Sequence, residues 1–321
     1  MKNLSKIMFW MAVLPLLFVM SCKDNDDPKP ADGKFAELST YLQDNSLDLN
    51  NILDGWITAA PATVEDVPAF IAQYDIFDIR SATDFAAGHI EGATNSSLGT
   101  IVADAAGATK PILVVCYTGQ TAGHATVALR LSGHADAKVL KWGMSGWNTN
   151  NMTPWESHLS SQAVGHTNWT KPAAPATPGT FDYPTISSTA SGAALLAERV
   201  EAMTAGFNGV DASAVLENPG NYYINNYWAE ADNTKYGHIA GAIRNNTHTL
   251  ANDGFKSLDP SKTVVTYCWT GQTSSMITAY LKVLGYDSKS LKFGSNNMIY
   301  SDLEGHKFVP ASIIDLPIVV D

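Results

Sequence analysis

The sequence predicts an α/β protein of two domains, each a doubly wound, mostly parallel sheet with helices on both faces. Three observations support this prediction. A short apolar run ends in a cysteine and is followed by a glycine-containing loop and a helix-like segment; the same unit returns in the second half; and a proline-rich stretch separates the two copies. Strands that alternate with helices favour parallel pairing, because each crossover helix covers one face of the sheet.

The first 21 residues have the features of a secretory signal peptide. Two lysines precede an uncharged stretch that ends at Met20 and is too short for a membrane span. The stretch leads into Cys22 and resembles the lipobox of bacterial lipoproteins, which implies that Cys22 becomes the lipid-modified N-terminus. An ordinary signal peptide followed by an incidental cysteine is the alternative. The resemblance implies a protein of the cell envelope, anchored by lipid at the outer membrane and either periplasmic or surface-exposed.

Residues 22–34 are polar, rich in Asp, Lys and Pro, and lack apolar periodicity. This composition is typical of a disordered tether between a lipid anchor and a folded protein. The acidic run is also similar to the surface-export signal of Bacteroidota lipoproteins. A tether that serves only as a spacer would have much the same composition.

The acidic charge argues against nucleic acid as a partner. The chain carries a formal net charge of −11, and loss of the first 21 residues removes two lysines and no acidic residue, which leaves −13. An acidic surface repels phosphate backbones. About 300 residues then remain, roughly twice a typical domain length and enough for two hydrophobic cores.

The boundary between the two predicted domains lies in residues 166–184. This stretch contains four prolines and many small residues, which is typical of an extended linker. The first domain is therefore predicted over residues 35–165 and the second over residues 185–321. Within them, apolar runs and periodicity predict strands and helices as follows: strands at 75–80, 111–116 and 137–142 with a helix at 121–132, then strands at 263–268 and 288–293 with a helix at 273–284.

Cys116 and Cys268 each lie at the predicted carboxyl end of a strand, before a short loop and a helix. Open α/β sheets bind ligands in this crevice. Backbone N–H groups of such a loop, together with the helix N-terminus, favour a thiolate over a thiol, so we expect a lowered cysteine pKa. A buried inert cysteine is the alternative, and the repetition of the loop disfavours it. A disulfide between the two cysteines is also disfavoured, because each precedes a turn in its own repeat.

The two loops differ at one aromatic position. Gly119 and Gly271 allow a positive φ, and the threonine hydroxyls provide further hydrogen-bond donors. The candidate loop residues are Tyr117, Thr118, Gly119, Gln120 and Thr121 after Cys116, and Trp269, Thr270, Gly271, Gln272 and Thr273 after Cys268.

A strand followed by Cys-x-x-Gly-x-Thr and a helix resembles the active-site region of the rhodanese family. Further matches extend the resemblance over most of both predicted domains. They are Asp78-Ile79-Arg80, residues 88–93 (GHIEGA) and residues 143–147 (GMSGW) in the first half, with residues 237–242 (GHIAGA) and Gly294 in the second.

The resemblance implies a tandem sulfurtransferase in which Cys116 and Cys268 accept sulfane sulfur as a persulfide, and in which the other loop residues form the cradle. A small sulfur donor and a thiol or other thiophilic acceptor are the implied partners, with no cofactor and no metal. Related phosphatases have a loop one residue longer that ends in arginine, so the six-residue loops ending in threonine favour sulfur chemistry. A catalytically silent binding or scaffold lipoprotein with the same fold is the alternative function.

Two departures from the family bear on the site. Tyr117 and Trp269 stand where many members place arginine or lysine beside the cysteine, so thiosulfate is not the expected donor. In the second half, Asn225 and Tyr227 are expected at the positions of Asp78 and Arg80, which leaves that loop without charged support. We therefore favour Cys116 over Cys268 as the nucleophile.

Four polar residues near the loops have structural explanations. Arg80 is expected to pair with a carboxylate, either Asp78 or Asp84. His89 and His238 are expected to hydrogen-bond backbone in their Gly-His-Ile turns rather than act as bases. His124 is expected on the surface, because Met276 holds the equivalent place in the second half. Metal-ligand spacing is absent from the Cys and His residues of the sequence.

Overall fold

The computed structural model describes residues 33–171 and 174–320. The predicted signal peptide, Cys22 and most of the predicted tether lie outside the described residues. The last two residues of that tether, Gly33 and Lys34, belong to the first helix.

The first half of the chain forms a five-stranded sheet in which all neighbouring strands are parallel. Its order is β1-β5-β4-β2-β3, so the apolar strand β4 lies at the centre. All four residues of β4 are buried, as expected for a strand covered on both faces. The strands are β1 Ile57–Thr58, β2 Asp75–Asp78, β3 Thr94–Asn95, β4 Ile112–Val115 and β5 Lys138–Leu140.

The second half repeats this topology. Its five parallel strands follow the order β10-β8-β11-β12-β7, which from the other edge is the order of the first sheet. The central strand is again the one that precedes a cysteine. The strands are β7 Gly209–Val210, β8 Tyr223–Asn226, β10 Ile243–Arg244, β11 Val264–Tyr267 and β12 Ser288–Leu291; a separate antiparallel pair joins β6 Trp169–Thr170 to β9 His238–Ile239.

Helices cover both sheets, which confirms the predicted fold class. Two of them, α6 and α11, directly follow the cysteine loops and are almost entirely buried. Among the described residues, no helix has the length and apolarity needed to span a bilayer. The helices are α1 Gly33–Asp44, α2 Leu49–Ile52, α3 Val67–Ile71, α4 Ala82–Ala86, α5 Ile101–Asp104, α6 Gln120–Leu131, α7 Thr153–Glu156, α8 Gly192–Thr204, α9 Ala212–Glu217, α10 Glu230–Tyr236 and α11 Gln272–Val283.

The two halves share a core, and the described residues belong to one compact unit. Helix α6 packs directly on α11. A Cβ atom on Gly123 would lie only 2.8 Å from the Ser275 hydroxyl oxygen, so a larger residue at position 123 would push the helices apart. At the other end of the chain, the backbone at Val319 pairs with His89 of the first half. The domain boundaries within this unit remain a prediction.

His124 is buried in this helix pair, so its predicted surface position is wrong. Its Nδ1 lies 2.8 Å from the Ser275 hydroxyl, and its Nε2 accepts a hydrogen bond from the Asn208 backbone N–H at 3.4 Å. The Nδ1 atom therefore carries the proton and donates to Ser275, whose hydroxyl donates to the Gln120 carbonyl. The sequence does not reveal this position because the side chain faces the second half of the chain rather than solvent.

Acid should weaken the folded state through His124. Burial, with a contribution from Lys282, lowers the pKa of His124 to about 3, whereas the unfolded chain takes up a proton near pH 6.5. The stabilisation is therefore complete above about pH 6.5 and is lost as the pH falls. As the pH falls from 6 to 4, the free energy of unfolding should decrease for the wild type and less steeply for His124→Asn. The two slopes should differ by about 1.4 kcal/mol per pH unit.

Urea unfolding at several pH values would measure these slopes. His248, whose pKa is lowered by burial to about 4, remains in both proteins and cancels in the comparison. Equal slopes for the two proteins would contradict the prediction.

Candidate active site

Both cysteines follow the central strand of a sheet and precede the N-terminus of a long helix. Cys116 follows β4 and Cys268 follows β11. Both are free thiols, and their exposed fractions are only 5% and 2%. The structure thus places the predicted nucleophiles at the carboxyl ends of the strands. Both are buried, whereas a cysteine in an open cleft would be partly exposed to solvent.

A cavity of about 740 Å³ opens beside β2 and the segment that precedes β4. Tyr74, Asp75, Glu91 and Lys110 are among its lining residues, and neither cysteine is. The cavity therefore does not mark the thiol site.

Backbone N–H groups surround the sulfur of Cys116, as predicted. Gly119 N–H donates to Sγ at 3.1 Å and Ala122 N–H at 3.4 Å. The chain can turn this sharply because Gly119 adopts φ +77°, and Gly271 adopts the same φ in the second loop. The Thr118 and Thr270 hydroxyls accept hydrogen bonds within their own loops, from Gln120 Nε2 and the Gln272 backbone, and do not serve as donors to sulfur in these contacts.

Burial raises the pKa of the Cys116 thiol, so the expected lowering is wrong for this residue. The N–H groups of Ala122, Thr118 and Gly119 do lower the pKa, but the loss of solvent has the larger effect, and the charge of Asp78 adds to it. A buried sulfur loses the hydration that would stabilise its negative charge. Near neutral pH the resting Cys116 is therefore a thiol.

Arg80 pairs with Asp78 directly beside the first loop. Its Nη2 lies 2.6 Å from Asp78 Oδ2, its Nε lies 3.0 Å from Oδ1, and both side chains are buried. Nη2 also donates to the Gly88 carbonyl at 2.7 Å, which ties the pair to the Gly-His-Ile turn. The predicted carboxylate partner is thus Asp78, while Asp84 bonds to Ser81.

The aromatic residue after Cys116 contacts the same ion pair. The guanidinium carbon of Arg80 lies 5.1 Å from the centre of the Tyr117 ring. His89 lies 3.0 Å from the Phe85 carbonyl through Nδ1 and stacks on the Phe85 ring, in agreement with the predicted structural role.

The second loop has different surroundings, and the expected equivalents of Asp78 and Arg80 are wrong by one residue. The β8–β11 register pairs Asn226 with Tyr267, just as Asp78 pairs with Val115. Asn226 and Trp228 therefore replace Asp78 and Arg80. The uncharged, mixed sequence of β8 offers no landmark that would fix this register from the sequence alone. The conclusion that the second loop lacks charged support still holds.

Cys268 contacts a serine, and the tryptophan that follows it lies in a stack of aromatic rings. Its Sγ accepts from Ser274 N–H at 3.3 Å and lies 3.6 Å from the Ser274 hydroxyl. Trp269 stacks between Trp228 and His306, with ring centres 4.3 and 4.7 Å away. The aromatic residue after Cys268 thus packs among other rings, whereas the aromatic residue after Cys116 contacts the Asp78–Arg80 ion pair.

His238 lies in β9, opposite Thr170, and is buried. Among the described residues its Nδ1 has no hydrogen-bond partner, so the backbone hydrogen bond expected of the ring is absent at this atom. Burial lowers the pKa of His238, which keeps the ring neutral at pH 7. Within the described part of the chain, no group of three or more His, Cys, Asp or Glu side chains could hold a metal ion.

Two loop residues, Gln120 and Gln272, link each cysteine loop to the other half of the chain, a role that the sequence alone does not reveal. Gln120 Oε1 accepts from the Phe293 backbone N–H at 2.8 Å, and Gln272 Nε2 donates to the Thr118 carbonyl at 3.1 Å. Both side chains are buried. The signal was present, since glutamine occupies the same place in both loops, but its partners depend on how the halves dock.

Trp155 also contacts the first loop. Its Nε1 donates to the Thr118 carbonyl at 3.3 Å, and its ring is fully buried against Trp142, Phe293 and Phe308. The tryptophans of the sequence lack a regular pattern, so the sequence alone does not connect Trp155 with the cysteine.

Replacing Asp78 should strongly destabilise the protein. Asp78→Asn leaves the buried Arg80 guanidinium without its counter-charge, which costs about 3–5 kcal/mol of unfolding free energy. The double variant Asp78→Asn/Arg80→Met removes both charges and should be markedly more stable than the single variant. Urea unfolding curves would test this, and a single variant as stable as the wild type would contradict it.

Comparison with known proteins adds one family match. Residues 63–150, which include β2 to β5 and the Cys116 loop, match the model described as Rhodanese-like domain. The comparison with curated proteins finds no match.

The chain resembles a number of solved structures, including the following three. A rhodanese-related protein from Thermoplasma volcanium is 18% identical with a TM-score of 0.27, over 36% of this chain and 100% of that one. A thiosulfate sulfurtransferase from Pseudomonas aeruginosa is 16% identical with a TM-score of 0.28, over 80% and 45%. SseA from Escherichia coli, described with the rhodanese fold and 3-mercaptopyruvate sulfotransferases, is 15% identical with a TM-score of 0.27, over 74% and 98%. Over residues 63–150 the chain therefore matches the rhodanese-like domain family, and its second half repeats the same sheet order and the same cysteine loop.

Proposed function

We propose that this protein is a sulfurtransferase in which Cys116 carries sulfane sulfur as a persulfide. The observation that carries the proposal is the geometry of the first loop: the Cys116 sulfur follows the central strand and accepts hydrogen bonds from Gly119 and Ala122 N–H. These donors can stabilise negative charge on the sulfur or on a sulfur atom bonded to it. The match of this segment to the rhodanese-like domain supports the same chemistry.

The transfer would take place in two displacements. The Cys116 thiol first gives its proton to solvent, and the thiolate then attacks the transferable sulfur of a small donor. A new S–S bond forms, the bond between that sulfur and the rest of the donor breaks, and the donor fragment leaves with the electron pair. A thiophilic acceptor, such as a thiolate, then attacks the outer sulfur, and Cys116 leaves as thiolate. In each displacement, one bond to the transferred sulfur forms and one breaks, and the leaving group takes the electron pair of the broken bond. The reaction therefore needs no external oxidant, reductant or cofactor.

Cys116 is the better candidate of the two cysteines. Its sulfur accepts from two backbone N–H groups, whereas Cys268 accepts from Ser274 N–H and lies against the Ser274 hydroxyl. The first loop also rests on the Asp78–Arg80 pair, whose place in the second half is held by uncharged residues. We propose Cys268 as a second, weaker site.

The donor is proposed to be small and not selected by a free positive charge. Arg80, the cation beside Tyr117, is already neutralised by Asp78. A dianionic donor would therefore gain little from this arginine, in agreement with the absence of arginine or lysine beside the cysteine.

A catalytically silent binding or scaffold protein is the second candidate. The burial of both thiols favours it, as does the raised pKa of Cys116, because a buried neutral thiol is a slow nucleophile.

Intact-mass measurement would decide between these functions. The protein without residues 1–22 should gain one sulfur atom when it is treated with a small sulfur donor, either 3-mercaptopyruvate or, as the less favoured donor, thiosulfate. The gain should persist in Cys268→Ser and disappear in Cys116→Ser. If the folded, fully reduced protein gains no sulfur from either donor, the binding function is favoured; a gain lost only in Cys268→Ser would move the nucleophile to the second loop.

We also propose that the protein is extracytoplasmic and anchored in the cell envelope by lipid on Cys22. The apolar stretch before Cys22 and the polar segment after it support this location. In the full-length protein expressed in a Gram-negative bacterium, an alkyne fatty acid should label the wild type and Cys116→Ser alike. Cys22→Ala should lose the label and leave the membrane fraction. Equal labelling of Cys22→Ala would contradict lipidation at this residue.

A further inference from the structure

One peptide group links the second half of the chain to the Cys116 sulfur. The carbonyl of Thr118 accepts hydrogen bonds from Gln272 Nε2 at 3.1 Å and Trp155 Nε1 at 3.3 Å. The N–H of the same peptide group, which belongs to Gly119, donates to Cys116 Sγ at 3.1 Å. A trans peptide is planar, and its C=O and N–H point in opposite directions. Side chains that hold the carbonyl on one side therefore aim the N–H at the sulfur on the other.

The contact with Gln272 is close and depends on glycine. A Cβ atom at position 119 would collide with the Gln272 side-chain amide, and the positive φ of Gly119 is itself unfavourable for other residues. Gln272 is buried at the start of α11, so little freedom remains for its amide. The orientation of the Thr118–Gly119 peptide is thus set by a residue of the second half.

The arrangement is asymmetric between the two loops. Gln120 directs its oxygen to Phe293 N–H and its nitrogen to the Thr118 hydroxyl, so both glutamine amides bond to Thr118. Within the described residues, no side chain donates to the Thr270 carbonyl, and the Cys268 sulfur receives no hydrogen bond from Gly271 N–H. The repeated loop sequence therefore produces one oriented peptide group and not two.

We propose that Gln272 and Trp155 are positioning residues for Cys116, and that the second half of the chain serves to orient the Gly119 N–H toward the reacting sulfur. The inference deepens the proposed function, on which it rests. A donor fixed before reaction stabilises charge on sulfur without the cost of reorienting the loop. Asp78, the last residue of β2 and the partner of Arg80, is the charged group whose negative charge raises the pKa of Cys116.

The test measures alkylation of Cys116 by iodoacetamide as a function of pH. The starting protein lacks residues 1–22 and carries Cys268→Ser, so that Cys116 alone reacts. Gln272→Met and Trp155→Phe each remove one N–H donor to the Thr118 carbonyl. Methionine matches the length of glutamine, and phenylalanine keeps an aromatic ring at position 155. We expect each variant to react more slowly below the plateau, and the double variant by about tenfold, with its profile displaced to higher pH.

Gln162→Met is the matched control. Gln162 also donates a side-chain amide hydrogen bond to a backbone carbonyl of the second half, that of Asn297, at 2.6 Å, but it does not contact the first loop. Its alkylation profile should match that of the starting protein. Melting curves report on folding, and Gln272→Leu, which is uncharged and also lacks the N–H donor, replaces Gln272→Met if the latter unfolds.

The outcomes separate this inference from the proposed function. An unchanged alkylation profile in the folded double variant would overturn the inference, even if Cys116 forms a persulfide. A displaced profile would support it, even if the wild-type protein takes up no sulfur and the proposed function fails. A lower melting temperature without a displaced profile would show that Gln272 and Trp155 serve only to hold the halves together, and would also overturn it.

Discussion

The hydrogen bonds that converge on Thr118 are the constraint on which the site depends. Gln120 bonds to its hydroxyl and Gln272 to its carbonyl, so the first loop is shaped by side chains from both halves of the chain. This convergence requires α6 and α11 to approach closely, which the absence of a side chain at Gly123 permits. Glycine at position 119 leaves room for the Gln272 amide. The geometry around the Cys116 sulfur therefore depends on how the two halves of the chain pack against each other.

The duplicated topology carries two different chemical environments. In the first half, Phe77 and Val114 are apolar and lie on the strands next to the loop, and the loop rests on a buried ion pair. In the second half, the same positions hold Asn225 and Thr266, each with a buried polar atom that has no partner among the described residues. Buried polar groups without partners cost stability. Repetition of a fold therefore does not imply repetition of its chemistry.

The features of the fold that depend on local sequence pattern could be predicted from the sequence. Apolar runs located the central strands, and glycine before a helix located the positive-φ turn at Gly119. The remaining features depend on contacts between distant segments. The burial of His124 and the partners of Gln272 follow from the docking of α6 on α11, which no local pattern encodes. The pKa of Cys116 also depends on such contacts. The backbone N–H groups of the loop and helix lower this pKa, but burial raises it by more, and the extent of burial cannot be read from the sequence.

A double-mutant cycle on Gln120 and Gln272 would test most directly whether the two loops act as one unit. The free energy of unfolding is measured by urea denaturation for Gln120→Met, Gln272→Met, the double variant and the wild type. Since both amides bond to Thr118, the account predicts that the effects are not additive, with a coupling free energy of about 0.5 kcal/mol or more. Additivity within about 0.3 kcal/mol would show that the loops are independent and would contradict the account.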